Sequence, residues 1–510
     1  MEYNLKVFWL ITLAGYSVRI LRVIYPPCIA RTIFAKFISV PGQILFVWGV
    51  ILTALGKNMS EGNILKNLIL FSLPFLGSNL VQSLYNVADM LIVGQFSGME
   101  SMSGVNIGGQ VTFILTNVVI GLCMGATVLI GQYIGAGNKE ALKKVTATFF
   151  TLLLTLAVGI TTLVLIFKGP ILHLIKTPAE SYAESNSYLT VTAIGLVFIF
   201  GYNALSAILR GMGDSKTPLY FVSIACVTNI ILDLWFVAGF GWAATGAAVA
   251  TVISQGSSML LCILYMIKKN FHFDFKPSSF RIDKEQFKLI FKIGLPTSTQ
   301  NGVTSISFLF ITAFVNIVGG VSASAAVGAV GKFNSFVFMP TSAISLSVAT
   351  ICAQNIGAKK LDRAAHACRL GTVIAVCFNY AFFVFVQLFP ASIMALFGSD
   401  AQVTAAGIEY LRSFSYDFLL VPLIFCINGL FIGGGHTTFT LITSMMSSVL
   451  LRVPVCYILG ITMEWGLKGV GLGAPVASAG SLILIIYFLI SGRWKQNAVK
   501  AAQPELVMDI

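Results

Sequence analysis

Two carboxylates of this chain stand where charge is strongly disfavoured. Asp89 and Asp233 lie inside long apolar runs, and an ionisable side chain there costs several kcal/mol unless it is paired or put to use. Asn229 precedes Asp233 by four residues, so on a helix the amide and the carboxylate share a face. Thr251, on the next apolar run, comes to a comparable depth. Two carboxylates, an amide and a hydroxyl at one level supply hard oxygen ligands for a small cation such as Na⁺. Alternatively the carboxyl pair shares a proton, since two like charges close together in a low dielectric do not both ionise. The residues leave H⁺ and Na⁺ open. The competing reading is structural, with each aspartate capping or bonding a neighbouring helix.

A second set of charges falls in the other half of the chain: Lys332, Asp417 and Arg452. Asp417 and Arg452 occupy consecutive apolar runs at matching depth, which predicts a structural ion pair. The sharper alternative is that Lys332 or Asp417 lines a central substrate cavity and tunes the charge it accepts. No catalytic constellation stands beside these groups. The chain has nine cysteines and four histidines, none at metal-ligand spacing, and no phosphate loop, dinucleotide fingerprint or nucleophile elbow. An enzyme, a resident metal and a cofactor are therefore not expected beyond the coupling ion itself.

The elements that must position these residues follow from composition. The 510-residue chain is 57% hydrophobic and 10% charged, against about 25% charged in an average soluble domain. Runs of about 20 apolar residues mark spanning helices, and twelve are predicted at about 66–93, 104–133, 145–168, 186–210, 217–239, 243–267, 287–315, 326–354, 364–389, 408–432, 439–461 and 468–491. The net charge of +13 does not point to nucleic acid. Lys and Arg concentrate in alternate connections, as the positive-inside rule requires, which places both termini and the long polar stretch Lys268–Lys288 in the cytoplasm. Pro74, Pro296 and Pro340 are positioned to kink spans one, seven and eight.

The two halves match at a constant offset of 222 residues. Leu73-Pro74 corresponds to Leu295-Pro296, Gly98 to Gly320, and Gln132 through Ala136 to Gln354 through Ala358. Tyr188-Leu189 corresponds to Tyr410-Leu411, and Gly211 and Gly213 to Gly433 and Gly435. The predicted fold is an all-α integral membrane protein of twelve helices, in two six-helix lobes related by a pseudo-twofold axis along the membrane normal. That is a carrier architecture. The expected limits are 59–268 and 287–492 for the lobes, 269–286 for the linker and 493–510 for a tail. Residues 1–58 have no counterpart in the second half; they are expected to be a start-site artefact ahead of Met59, or else an extra hydrophobic hairpin. At the same offset Asp89 becomes Ile311, Asn229 becomes Leu451 and Asp233 becomes Val455. The acidic cluster thus belongs to the N-terminal lobe alone.

Several stretches resemble the multidrug and toxic compound extrusion (MATE) family, its bacterial branch in particular. They include Asn86-Val87-Ala88-Asp89, Gly121 through Gly125 to Gly131-Gln132, Gly135-Ala136-Gly137-Asn138, Leu209 through Pro218, Asn229 through Asp233, and Gly246 through Thr251. The resemblance implies a cation-coupled antiporter of the bacterial plasma membrane that exports organic cations and other amphiphiles, working as a monomer within the lipid bilayer. It implies a cation site at Asp89, Asn229 and Asp233, with Thr251 a less secure match. Family members with acids in the C-terminal lobe carry them on the first and fourth spans of that half. Here those spans hold Gln300, Asn301, Thr304 and Ser305, and Asp417, so a seventh-span carboxylate is missing. The alternative within the wider superfamily is a lipid-linked precursor flippase, which would favour a cavity rich in Lys and Arg.

Overall fold

The computed structural model describes residues 57–496 except 270, 274 and 399. The segment 1–56 and most of the expected C-terminal tail lie outside the described residues. Lys57 and Asn58 are the described part of the expected extension. The Lys57 backbone N–H donates to the Met212 carbonyl at 2.9 Å, and its ammonium donates to Asn67 Oδ1 at 2.7 Å.

Thirteen helices carry the described chain: α1 (Ile64–Ala136), α2 (Lys139–Leu174), α3 (Ala179–Ile194), α4 (Leu196–Gly211), α5 (Lys216–Gly239), α6 (Ala243–Lys268), α7 (Lys284–Gly357), α8 (Leu361–Leu388), α9 (Pro390–Ala395), α10 (Ala401–Phe414), α11 (Asp417–Gly433), α12 (Thr437–Thr462) and α13 (Gly466–Ile490). Helices α1 and α7, of 73 and 74 residues, are each more than three times as long as one hydrocarbon crossing at about 1.5 Å per residue. Each is therefore two spans. Gly98 breaks α1 at φ 81°, ψ −178°, and Gly320 breaks α7 at φ 57°, ψ −144°. Such backbone angles belong to glycine, because a Cβ would collide there. The loops expected at 94–103 and 316–325 thus reduce to single-residue elbows. Pro74, Pro296 and Pro340 sit inside helix that continues past them.

Two expected spans are bent pairs. Helices α3 and α4 meet at 51°, and α10 and α11 at 48°. At the first bend Gly195 has no room for a side chain, since a Cβ would lie 2.2 Å from Val252 of α6. Counting α1 and α7 twice, each bent pair once and leaving out the six-residue α9 yields the twelve spans of two six-helix lobes. Every lobe-two helix bound falls within two residues of its shifted lobe-one counterpart except at Phe389, which divides the counterpart of α2 into α8 and α9.

The lobes interlock at the face that carries the basic loops. Leu68 and Phe71 of span one pack in the core of the second lobe with Ile344, Val348 and Phe431. Ile290 and Ile293, their equivalents on span seven, pack in the core of the first lobe with Leu122, Ala126 and Ile130. Polar ties accompany this exchange. Ser298 Oγ donates to the Val118 carbonyl at 2.7 Å, Tyr133 to Gln286 Oε1 at 2.9 Å, and the Asp283 N–H to Thr148 at 3.0 Å. In the half facing away from the basic loops, spans one and seven instead expose Leu84, Leu91, Leu309 and Ile317. The two lobes share cores and hydrogen bonds at the face of the basic loops.

Candidate functional site

The half of the first lobe away from the basic loops holds the acidic pair. Span one carries Asp89 at 6% exposure, and α5 carries Asn229 and Asp233, both fully buried. Directly after Asp233 the helix widens into a π-helical turn over Leu234–Gly239, a distortion that backbone tolerates mostly at functional positions. The four-residue spacing of Asn229 and Asp233 stacks them on one face, as expected from the sequence. The carboxyl groups of Asp89 and Asp233 approach each other within hydrogen-bonding reach.

What these groups lack is more telling than what they touch. Asp89 Oδ1, both carboxylate oxygens of Asp233, and both the oxygen and nitrogen of the Asn229 amide are buried with no hydrogen-bond partner. Buried polar atoms are ordinarily paired, and an unpaired one costs about 1–3 kcal/mol. Neither facing carboxylate can donate to the other, so the pair is satisfied only when a proton or a cation enters between them. The donor set is hard oxygen, which suits H⁺ or an alkali cation and not a soft transition metal. Among the described residues no cluster of three or more His, Cys, Asp or Glu side chains forms.

Thr251 joins the group through Tyr85, whose hydroxyl donates to Thr251 Oγ1 at 2.9 Å. Tyr188 of α3, also buried, brings its hydroxyl up to Thr251 and lies close to both aspartates. The structure therefore assembles all four expected residues and adds two tyrosines. Tyr85 was legible in principle, because it stands one helical turn before Asp89 on the same face. Tyr188 was not, since the approach of α3 to span one is set by packing and no spacing records it. One turn further from the basic face, Val93, Val105, Val237, Ala244, Ala247 and Ala248 form an apolar plug with the Tyr188 ring.

The second lobe departs from expectation. Asp417 and Arg452 are not in ion-pair contact; the ion pair among the described residues is Lys144–Glu140, at 2.8 Å on the surface. Asp417 is buried and faces Ser478. The Arg452 guanidinium instead sits between aromatic rings, 4.8 Å from the centroid of Phe308 and 5.8 Å from that of Phe414. Matched depth did not produce pairing, because the flat guanidinium stacks on ring faces from spans seven and ten. Lys332 is exposed on the second limb of α7. Ile311, in the place of Asp89, is 2% exposed within an apolar core.

Comparison with known proteins agrees with this architecture. The MatE family profile matches residues 74–235 and 296–458, one copy in each lobe. A probable multidrug resistance protein of Bacillus subtilis, YoeA, is 30% identical over 450 residues, covering 87% of this chain and 97% of that protein. The FAD transporter of Shewanella oneidensis is 26% identical over 430 residues, covering 82% of this chain and 92% of that protein. An outward-facing structure of a multidrug resistance MATE family transporter shares the fold with a TM-score of 0.79 at 24% identity, over 88% of this chain and 99% of that chain. With a family match in both lobes, and a relative aligned over nearly its whole length, this chain belongs to the MatE family of multi-pass membrane transporters.

Proposed function

We propose that this protein is a cation-coupled antiporter that exports amphiphilic organic cations across the bacterial plasma membrane by alternating access. Asp89, Asn229, Asp233 and Thr251, with Tyr85 and Tyr188, form the coupling site in this reading. The basic loops face the cytoplasm in this reading, so the acidic site lies in the half nearer the outside. The observation that carries the proposal is the set of unpartnered buried oxygens around two facing carboxylates. Entry of H⁺ or Na⁺ removes both the repulsion and the unsatisfied acceptors, which favours whichever conformation brings the helices closest around the ion. A cation drives transport only through this difference in affinity between two states. The multidrug resistance proteins among the relatives support an organic, amphiphilic cargo.

The test is efflux of a fluorescent organic cation from proteoliposomes under an imposed pH gradient or, separately, an imposed Na⁺ gradient. One gradient drives efflux in the wild type, and Asp89→Asn and Asp233→Asn abolish that response while still binding the dye without a gradient. Wild-type pumping by both variants overturns the assignment.

A further inference from the structure

At the closed face, two glutamines do to each other's lobe what neither does to its own. Gln132, near the end of α1, donates from Nε2 to the carbonyl of Gly433 in the second lobe at 2.8 Å. Gln354, near the end of α7, donates from Nε2 to the carbonyl of Gly211 in the first lobe at 3.1 Å. Donors and acceptors are repeat equivalents: the 222-residue offset carries Gln132 to Gln354 and Gly211 to Gly433. Both glutamines are fully buried. The acceptors are the last glycines of α4 and α11, whose carbonyls lie among the orphan acceptors of a helix terminus.

The crossing is as tight as backbone permits. A Cβ on Gly135 would lie 1.9 Å from the Gln354 carbonyl oxygen, and a Cβ on Gly357 would lie 2.0 Å from that of Gln132. Two glycines, again repeat equivalents, thus let each glutamine's backbone press against the opposite lobe. In such a dry contact a side-chain amide has no water to fall back on, so each crossing bond is replaced only when the lobes part.

The symmetry breaks at one point. Gln354 Oε1 accepts from the Met59 backbone N–H at 2.7 Å, whereas Gln132 Oε1 is buried with no partner. Met59 is itself buried in the second lobe's core. Its neighbours are tied to both lobes: Lys57 to Met212 of the first, Ser60 and Gly62 through their carbonyls to Lys360 and Arg363 of the second, at 3.1 and 2.9 Å.

We propose that Gln132 and Gln354 form a reciprocal latch that sets the conformational equilibrium of the transport cycle, with the segment 57–62 as a strap reinforcing its Gln354 half. This rests on the alternating-access reading above. The two side chains are positioning residues: they act on the lobes and need touch neither the cargo nor the coupling ion. Breaking the latch releases the closed face and removes no group of the acidic site, which lies in the other half of the membrane.

Gln→Met keeps side-chain length and removes both polar ends, so Gln132→Met and Gln354→Met test the proposal in the full chain reconstituted in lipid nanodiscs. Hydrogen–deuterium exchange reads the closed face directly, through peptides covering 127–136, 207–216, 349–358 and 430–436. Exchange there rises by about three- to tenfold in Gln132→Met, the worth of one net hydrogen bond, and further in Gln354→Met, which loses two. Peptides around Asp89 and Asp233 do not rise with them, because alternating access closes that half as the other opens. Unchanged exchange at the closed face overturns the latch, and so does a uniform rise across the whole protein, which marks general loosening. An equal effect of the two variants overturns the strap. If Gln354→Met does not fold, Gln132→Met, which loses a single bond, decides the case. Exchange is independent of pumping. A wild type that fails to export therefore removes the antiport reading and leaves the latch standing, while normal export with unchanged exchange in the variants removes the latch alone.

Discussion

In the half away from the basic loops the two lobes share a helix arrangement and differ in chemistry. At equivalent positions the first lobe has Asp89, Asn229 and Asp233, and the second has Ile311, Leu451 and Val455. The first leaves polar atoms of these three residues buried and unpartnered; the second packs Ile311 into a core with Val315, Val337 and Phe418. A repeat fold can therefore hold an acidic pair in one lobe and leave the equivalent positions of the other apolar. In the proposed mechanism, symmetry describes how the lobes close and its violation marks where the coupling ion acts.

Giving the second lobe half of the site tests this division most severely. Ile311→Asp places a carboxylate where the equivalents of Asn229, Asp233 and Thr251 are Leu451, Val455 and Gly473. It should destabilise the protein by about 2.5–3.5 kcal/mol, the insertion cost of such a charge, seen as a lower melting temperature in detergent. A neutral effect would mean that the second lobe offers hidden polar partners. Removing charge from the first lobe is the converse. Asp233→Asn should keep or raise stability while gradient-driven efflux falls by about 5–150-fold, the range of a lost coupling energy.

Smaller effects sharpen the contrast in how each lobe handles its remaining charge. Arg452→Met removes the stacking on Phe308 and Phe414 and should cost about 0.5–2 kcal/mol. Exchanging the charges of Asp417 and Arg452 together should then recover nothing beyond the worse single variant; substantial rescue in a thermal melt would restore the ion pair. Tyr85→Phe loses the bond to Thr251, about 0.5–1.5 kcal/mol. Its expected signature is a shifted cation dependence of efflux with the maximum rate retained, and an unaltered dependence would remove Tyr85 from the site.

The smallest effect concerns the turns that end α4 and α11. The first holds Asp214, which caps α5 by accepting from the Lys216 and Thr217 N–H groups at 3.1 and 3.0 Å. The second holds His436, whose Nε2 lies 2.8 Å from the Gln496 carbonyl oxygen. Burial pushes the His436 pKa below its ordinary value, about 6.5 for an exposed histidine. The folded value lies below the unfolded one, so its contribution is complete above pH 6.5 and fades as pH falls through the lower folded value. His436→Asn should flatten the fall in melting temperature as pH drops below about 6.5; an unchanged slope would assign the acid sensitivity to other groups.

Much of this could be read along the chain. The offset of the repeat located every helix pair, and the spacing of Asn229 and Asp233 put them on one face. Helical geometry is local, so periodicity reports it. The elbows at Gly98 and Gly320 were present as repeat-matched glycines, but nothing local distinguishes a one-residue break from a loop. The Asp417–Arg452 pairing failed for the same reason. Depth along a span is legible, whereas rotation about the helix axis is set by neighbours, and here the aromatic faces of Phe308 and Phe414 won.

By itself the sequence determined that this is a membrane protein of two equivalent lobes, that its acidic pair lies in the first, and that the second cannot duplicate it. Those facts follow from the hydrophobic effect, from the cost of burying charge, and from helical period, each of which acts on residue type and spacing. Only the tertiary structure decided which helices cross between lobes, which side chains are left without partners, and that Tyr188 reaches the acidic site. It also decided that Gln132 and Gln354 bond across the lobes and not within them. These depend on contacts between residues hundreds of positions apart, where a close approach at Gly135 and Gly357 chooses the partner and no one-dimensional pattern records it.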